Sequence, residues 1–281
     1  MELNYPDYFY KYLPKTTQFF DSPALRVTQR EALNDPFEQS PSDEKFFNEL
    51  TTEEFHSLKS PFRDNNKYSK SLIQKFISTK NSQPSTTEFE HGTICFSETY
   101  DNLLMWSHYG SEHQGFVVAI DPHHFLKKQK SEELPSGLKI RRVMYRESRP
   151  TKQSFGYHDY FFGRSHKILS TKSTHWSYEQ EWRIQNFTNE NLLIAKDEKN
   201  QIKIDPYNKK IQLYEIPKKN IKLIIIGARC PISKMAALRA SLSKSEDWDH
   251  VHLKLAVADP LDFRLRFLNM KIEDLPEIPD A

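Results

Sequence analysis

The sequence predicts an α+β fold on a mixed, largely antiparallel sheet, and three observations carry that expectation. At 94–97, Ile94 and Phe96 alternate with Cys95 and Ser97, the period of a half-buried strand. Two runs, GFVVAID at 115–121 and KNIKLIIIGA at 219–228, are apolar on both faces, as strands inside a sheet must be. Between the first two strands, DNLLMWSHYG carries a helix cap in Asp101 or Asn102 and a stop in Gly110.

Taken in order, residues 8–13 read as a strand with Tyr8, Tyr10 and Tyr12 on one side and Phe9 and Lys11 on the other. Residues 16–23 supply one or two helical turns, and ALRVT at 24–28 returns as a strand. In LNDPFE at 33–38, Pro36 bars a helix interior and biases Asp35 towards extended backbone, so the run is a fixed turn that positions Asn34, Asp35 and Glu38. Asn34 and Asp35 suit capping of that turn equally well. Residues 39–88 turn polar and charged with helical spacing, a helical insertion expected to shape or cover a site. Residues 127–137 read as a loop, 138–146 as a strand, and 157–169 as helical from about 161. Strand alternation over 173–187 puts Trp176, Tyr178, Gln180, Trp182 and Ile184 on one face and Glu179, Glu181 and Arg183 on the other. A hairpin-like region at 196–213, a helix at 232–244 and a strand at 252–258 follow. No linker divides the chain, so residues 1–275 are expected to form one α+β domain, with a flexible tail over 276–281.

Composition excludes several classes. Forty Lys plus Arg against 38 Asp plus Glu leave a net charge of +2, which gives no bulk electrostatic reason to expect nucleic acid or a membrane surface. Two cysteines make neither a disulfide framework nor a zinc set, so a reducing cytoplasm is the expected location. No run approaches the roughly 18 apolar residues of a membrane span. Only 7 glycines occur and no G-x-G-x-x-G or G-K-[ST] motif, so a nucleotide, if used, is held without a Gly-rich loop.

The motifs YKY at 10–12, LNDPFE at 33–38, CFS at 95–97, MW-x-HY at 105–109, H-x-G at 113–115 and YEQEWR at 178–183 resemble, in this order, those of a bacterial family catalogued as domain of unknown function 2971. The layout is also similar to that of ADP-ribosyltransferases: an aromatic or basic residue on an early strand, a strand ending in Ser, and a later E-x-E. That resemblance implies NAD as substrate, held by a pocket that stacks nicotinamide and a carboxylate that stabilises the oxocarbenium-like ribose. It implies Glu181 as catalytic carboxylate, Glu179 as substrate-orienting, Ser97 as support for the ribose site and Tyr109 beside them. Lys11, Tyr12, Asn34, Asp35, His108, His113 and Arg183 are the expected NAD-binding residues. Two departures stand: Arg183 shares a face with Glu181 and can neutralise it, and no Ser-Thr-Ser triplet occurs. The expected setting is a bacterial effector or defence protein, with a cleft lined by the NDPFE, CFS, HYGSEH and EQEWR motifs.

Two other classes remain open. His108 and His113 with Asp35, Glu38, Glu179 or Glu181 would suit metal-dependent hydrolysis, yet their five-residue spacing is not the i, i+4 arrangement that aligns ligands on a helix, and no metal is expected. In a non-enzymatic ligand-binding or interaction module, the same Glu, Arg and His residues form a structural ion-pair network.

Overall fold

The computed structural model describes residues 5–38, 92–129, 138–150, 169–185, 187 and 192–277. The expected helical insertion at 39–88, the helix at 157–169 and the tail lie largely or wholly outside them. The chain divides into two compact units: Met1–Thr28, His91–Val143 and His175–Ala281 form the first, Gln29–Glu90 and Met144–Thr174 the second.

The first unit contains the elements β1 (Phe9–Leu13), α1 (Gln18–Asp21), β2 (Ala24–Val27), β3 (Ile94–Ser97), α2 (Leu103–Tyr109), β4 (Phe116–Ile120), α3 (His123–Gln129) and β5 (Lys139–Arg142). The second unit holds the short parallel pair β6 (Met144–Arg146) and β7 (Thr171–Ser173). Back in the first unit come β8 (Glu181–Gln185), β9 (Leu193–Ile194), β10 (Gln212–Glu215), β11 (Ile221–Ile226), α4 (Ile232–Leu242), β12 (His252–Ala258) and β13 (Leu265–Met270). Eight strands make one sheet in the order β13-β12-β11-β4-β1-β3-β8-β5, and β2-β10-β9 make a smaller one. Among the described residues of the large sheet only β11 and β12 run parallel, joined through α4 in a β-α-β unit; the other pairs are antiparallel. The α+β, mixed, largely antiparallel expectation is met.

The two runs read as interior strands are interior. All five residues of β4 are buried between β1 and β11, because a strand with neighbours on both edges and layers on both faces can carry no polar side chain cheaply. One face of the sheet packs Phe9, Phe96, Val118, Trp182 and Ile224 against α3, α4 and the small sheet. The opposite face packs Tyr12, Val117, Ile225 and Ala256 against Met105 and Trp106 of α2. Asn102 caps α2 by accepting from the Leu104 and Met105 amides, and Gly110 ends it, as the sequence implied.

Two readings are corrected. Residues 174–179 form a 3-10 helix, not the first half of a strand; the strand starts at Glu181 after Gln180 takes a left-handed φ of 44°. The strand read over 138–146 is two, β5 and β6, broken at Val143, whose amide donates to the Glu181 carbonyl at 2.8 Å. Strand β13, absent from the sequence reading, forms the sheet edge.

After α2, Ser111, Glu112 and His113 all adopt left-handed φ (48°, 56° and 67°), which costs about 1 kcal/mol or more per non-Gly residue. Backbone bonds hold the turn: the Gly115 amide donates to Gly110, the Arg229 amide to His113 and the Gly227 amide to Gly115. A Cβ on Gly227 would lie 2.2 Å from the His113 carbonyl oxygen, and neither backbone can yield. Gly227→Ala is therefore expected to lower unfolding free energy by about 2–3 kcal/mol, measured by urea denaturation; a stability within 0.5 kcal/mol of wild type (roughly the surface-substitution range) contradicts this account of the clamp.

Candidate functional site

Strands β1, β3 and β8 are neighbours, and their registers align one row: Tyr10 opposite Ser97, and Ser97 opposite Glu181. One pair further along, Cys95 faces Arg183, which faces Arg141 of β5. Because cross-strand partners share a face, Tyr10, Ser97, Glu181, Cys95, Arg183 and Arg141 all lie on the α2 side of the sheet. This is the face on which Tyr12 and Trp106 pack, so a polar band adjoins an aromatic core.

The chain entering β8 is fastened to the chain leaving β3. Three successive carbonyls are taken: Tyr178 accepts from the Asn102 side-chain amide at 3.3 Å, Glu179 from Ser97 Oγ at 2.6 Å and Gln180 from the Glu98 amide at 3.0 Å. Ser97 Oγ also accepts from the Thr99 amide at 3.1 Å. The left-handed Gln180 turns the backbone between Glu179 and Glu181, so the two carboxylates reach the site from a 3-10 turn and a strand, not from alternate positions of one strand.

Each expected residue then has a definite place. Tyr109 Oη donates to Glu179 Oε1 at 2.5 Å, at the short limit for a hydroxyl on a carboxylate. Glu181 is buried, and both its oxygens receive Arg183, Nε on Oε1 at 2.8 Å and Nη2 on Oε2 at 3.0 Å. Arg183 is itself 0% exposed, so the pair is a fork inside the protein and strand period two sets its spacing. Lys11 projects to the other side of β1 from Tyr10 and Tyr12, as expected, yet its Nζ donates to the Cys95 carbonyl at 2.8 Å. Tyr10 opposite Ser97 is the sole register between β1 and β3, which leaves that carbonyl open to a side chain. Burial pulls the Lys11 pKa below the usual lysine range, while Cys95, Glu181 and Glu179 nearby act to raise it.

The other expected ligand groups are engaged differently. Tyr12 is core, its ring 5.5 Å edge-on from Trp106 and its hydroxyl donating to the Thr99 carbonyl at 3.2 Å. His113 stacks on the opposite flank of the motif, 6.2 Å from Trp106 at 11°, and burial lowers its pKa, with Arg229 adding to the effect. His108 is exposed at the C-terminal end of α2, its ring 6.2 Å from both Tyr109 and Tyr178, and Tyr178 is 6.1 Å from Trp176. Those four rings form an aromatic ledge beside the buried Glu179.

Asn34 and Asp35 belong to the second unit. There Asp35 serves the turn: its Oδ1 accepts from the Phe37 amide at 2.8 Å and its carbonyl from the Glu38 amide at 3.0 Å. Glu38, in turn, lies 3.7 Å from Lys172, both buried. Among the described residues no group of three His, Cys, Asp or Glu side chains is placed to hold a metal ion, and no helix is long and apolar enough to cross a membrane.

Three members of the band were missed in the sequence. Tyr10 was read as one side of a strand within the YKY motif, Cys95 as an apolar-strand cysteine within CFS and Arg141 as one residue of an alternating strand, none of them as a site residue. Burial lowers the Arg141 pKa, and its Nε makes no hydrogen bond. Register alone shows that these residues join the motif residues, and a single sequence does not carry register.

Removing one partner of a buried fork leaves the other charge stranded, whereas replacing both with apolar groups is often neutral. Glu181→Gln is accordingly expected to cost about 3–5 kcal/mol in chemical denaturation, and the double replacement Glu181→Leu with Arg183→Met to recover most of it. Equal losses in the single and double variants would mean that the fork is not the dominant interaction of either group.

The comparisons with known proteins agree with the motif reading. Residues 105–184, from α2 to β8, match the family model described as Protein of unknown function (DUF2971). No curated protein and no solved structure matches the chain. Through the segment that carries the aromatic helix, the left-handed turn and the Glu-x-Glu strand entry, this chain is similar to the DUF2971 family.

Proposed function

We propose that the α2-side face is the active face of an ADP-ribosyltransferase-like enzyme that uses NAD as substrate. The observation that carries this reading is the in-register row Tyr10, Ser97 and Glu181 across neighbouring strands, with Glu179 held beside it by Tyr109 and Ser97. In such a reaction the bond from ribose to nicotinamide breaks, nicotinamide leaves with the electron pair, and the cationic ribose is met by an acceptor nucleophile. A carboxylate close to the ribose stabilises that cation, and aromatic faces hold the ring that departs. Glu179, held by Tyr109 of the aromatic ledge, is the candidate for the first role. Glu181 anchors the strand through its fork with Arg183, and the ledge of Tyr109, His108 and Tyr178 offers the stacking surface. A bacterial effector or defence protein is the setting that goes with this reading.

One observation favours a second reading, a non-enzymatic ligand-binding or interaction module: the bidentate Glu181–Arg183 fork is what a structural network requires. The two separate cleanly. If the first reading holds, NAD at a hundredfold excess over its dissociation constant adds about 2.7 kcal/mol of stability, and chromatography detects slow release of nicotinamide. Tyr109→Phe, which removes one hydroxyl and no charge, should then reduce turnover by roughly tenfold to a hundredfold, the worth of a hydrogen bond to a charged group, in a chain that stays folded although its melting temperature falls through the bond lost to buried Glu179. Absence of both NAD stabilisation and nicotinamide release from the wild-type chain would leave the module reading.

A further inference from the structure

We propose that a groove on β11, β12 and β13 is a second binding site, for a phosphorylated small molecule that also carries a planar group. The groove encloses about 930 Å³, at the upper end of the range of small-ligand sites. Its lining includes none of the Tyr109, Glu179, Glu181 or Ser97 side chains; Lys254, opposite Ile225, lies on the same α2 side of the sheet, but beyond β4 from the row discussed above.

Three lysines, Lys222, Lys254 and Lys271, line it against two carboxylates, Asp249 and Glu273. Lys254 lies within β12, half-buried, between Ile225 of β11 and Asn269 of β13. A lysine at an inner strand position normally meets a carboxylate or is replaced by an apolar residue, since a desolvated ammonium is costly. Among the described residues Lys254 has neither an ion pair nor a side-chain hydrogen bond, and the same is true of Lys271 and His252 on the groove wall. The acidic members of the lining, Asp249 and Glu273, occupy exposed positions, as do Lys271 and His252. The half-buried charges on the wall are thus lysines, Lys222 and Lys254, a balance that favours an anion. Tyr8, 38% exposed, offers a ring face at the wall, and Leu223 and Met270 add apolar surface. Two or more phosphate oxygens against Lys254, Lys271 and His252, with a base-like ring on Tyr8, use each of these features.

Isothermal titration of the full chain with inorganic pyrophosphate, at fixed ionic strength, tests the anion half. Saturable one-site binding is expected, and Lys254→Gln with Lys271→Gln should weaken it at least about tenfold, the loss of two hydrogen bonds to a charged group. Lys271 is exposed, so Lys271→Gln alone leaves folding intact and should weaken binding in the same direction. Tyr109→Phe should leave pyrophosphate affinity unchanged, which separates failure here from failure of the NAD reading. ADP should bind about tenfold more tightly than pyrophosphate through stacking, and Tyr8→Ala should abolish that advantage. No saturable binding, an unchanged affinity in the lysine variants, a loss on Tyr109→Phe, or ADP no tighter than pyrophosphate would each overturn the assignment.

Discussion

The candidate site depends on a run of three carbonyls. Those of Tyr178, Glu179 and Gln180 are bound in turn by Asn102, Ser97 and Glu98, so the link from β3 to α2 and the approach to β8 are one structure. The Glu179 carbonyl is buried with Ser97, so leaving it without a partner would cost about 1–3 kcal/mol, and the contacts at Tyr178 and Gln180 flank it on either side. Asn102 has a double task, since its side-chain oxygen caps α2 while its side-chain nitrogen serves Tyr178. The helix that carries Tyr109 and the turn that carries Glu179 are thereby positioned by the same residue. Ser97 has the same economy: its hydroxyl closes on Glu179 and also receives Thr99.

Charge is the second constraint. Lys11, Arg183 and Arg141 come together near Glu179 and Glu181 on a sheet whose neighbours are aromatic and aliphatic. Buried ions survive only when their attraction and hydrogen bonds outweigh desolvation, and the fork geometry of Arg183 on Glu181 is the arrangement best suited to that. The fork pairs the Arg183 charge with Glu181 on this face, while the Glu179 carboxylate accepts from the Tyr109 hydroxyl.

Local signals explain which parts of this arrangement were legible in the sequence. The β3 alternation, the Asn102 cap, the Gly110 stop and the unbroken apolar runs of β4 and β11 each act within a few residues, so pattern alone finds them. The membership of Ser97, Tyr109, Glu179, Glu181, Arg183 and Lys11 in one neighbourhood was readable too, from the order of strands and motifs. The segment 174–179 misleads because its apolar and polar residues alternate as a strand would, while a left-handed Gln180 resets the backbone, and non-Gly residues give no compositional warning of that. Strand β13 escapes because an edge strand with exposed positions on both faces needs no strict alternation. Arg141 and Cys95 escape because only pairing register brings them in.

The left-handed turn at 111–113 joins these themes. Three successive residues with positive φ are unfavourable by themselves, so something outside the turn must hold them. What holds them is the end of β11: Gly227 and Arg229 donate their amides to Gly115 and His113, and Gly115 presses so closely on the Leu13 carbonyl of β1 that a Cβ would stand 2.1 Å from it. The turn is thus pinned between the ends of β1 and β11, the strands on either side of β4. His113 stacks on Trp106 as a consequence, and Trp106 in turn packs on Tyr12 of β1. The histidine and glycine of the H-x-G motif are in this way explained by backbone geometry and packing, with His113 bracing the buried side of α2 while His108 faces outward on the ledge.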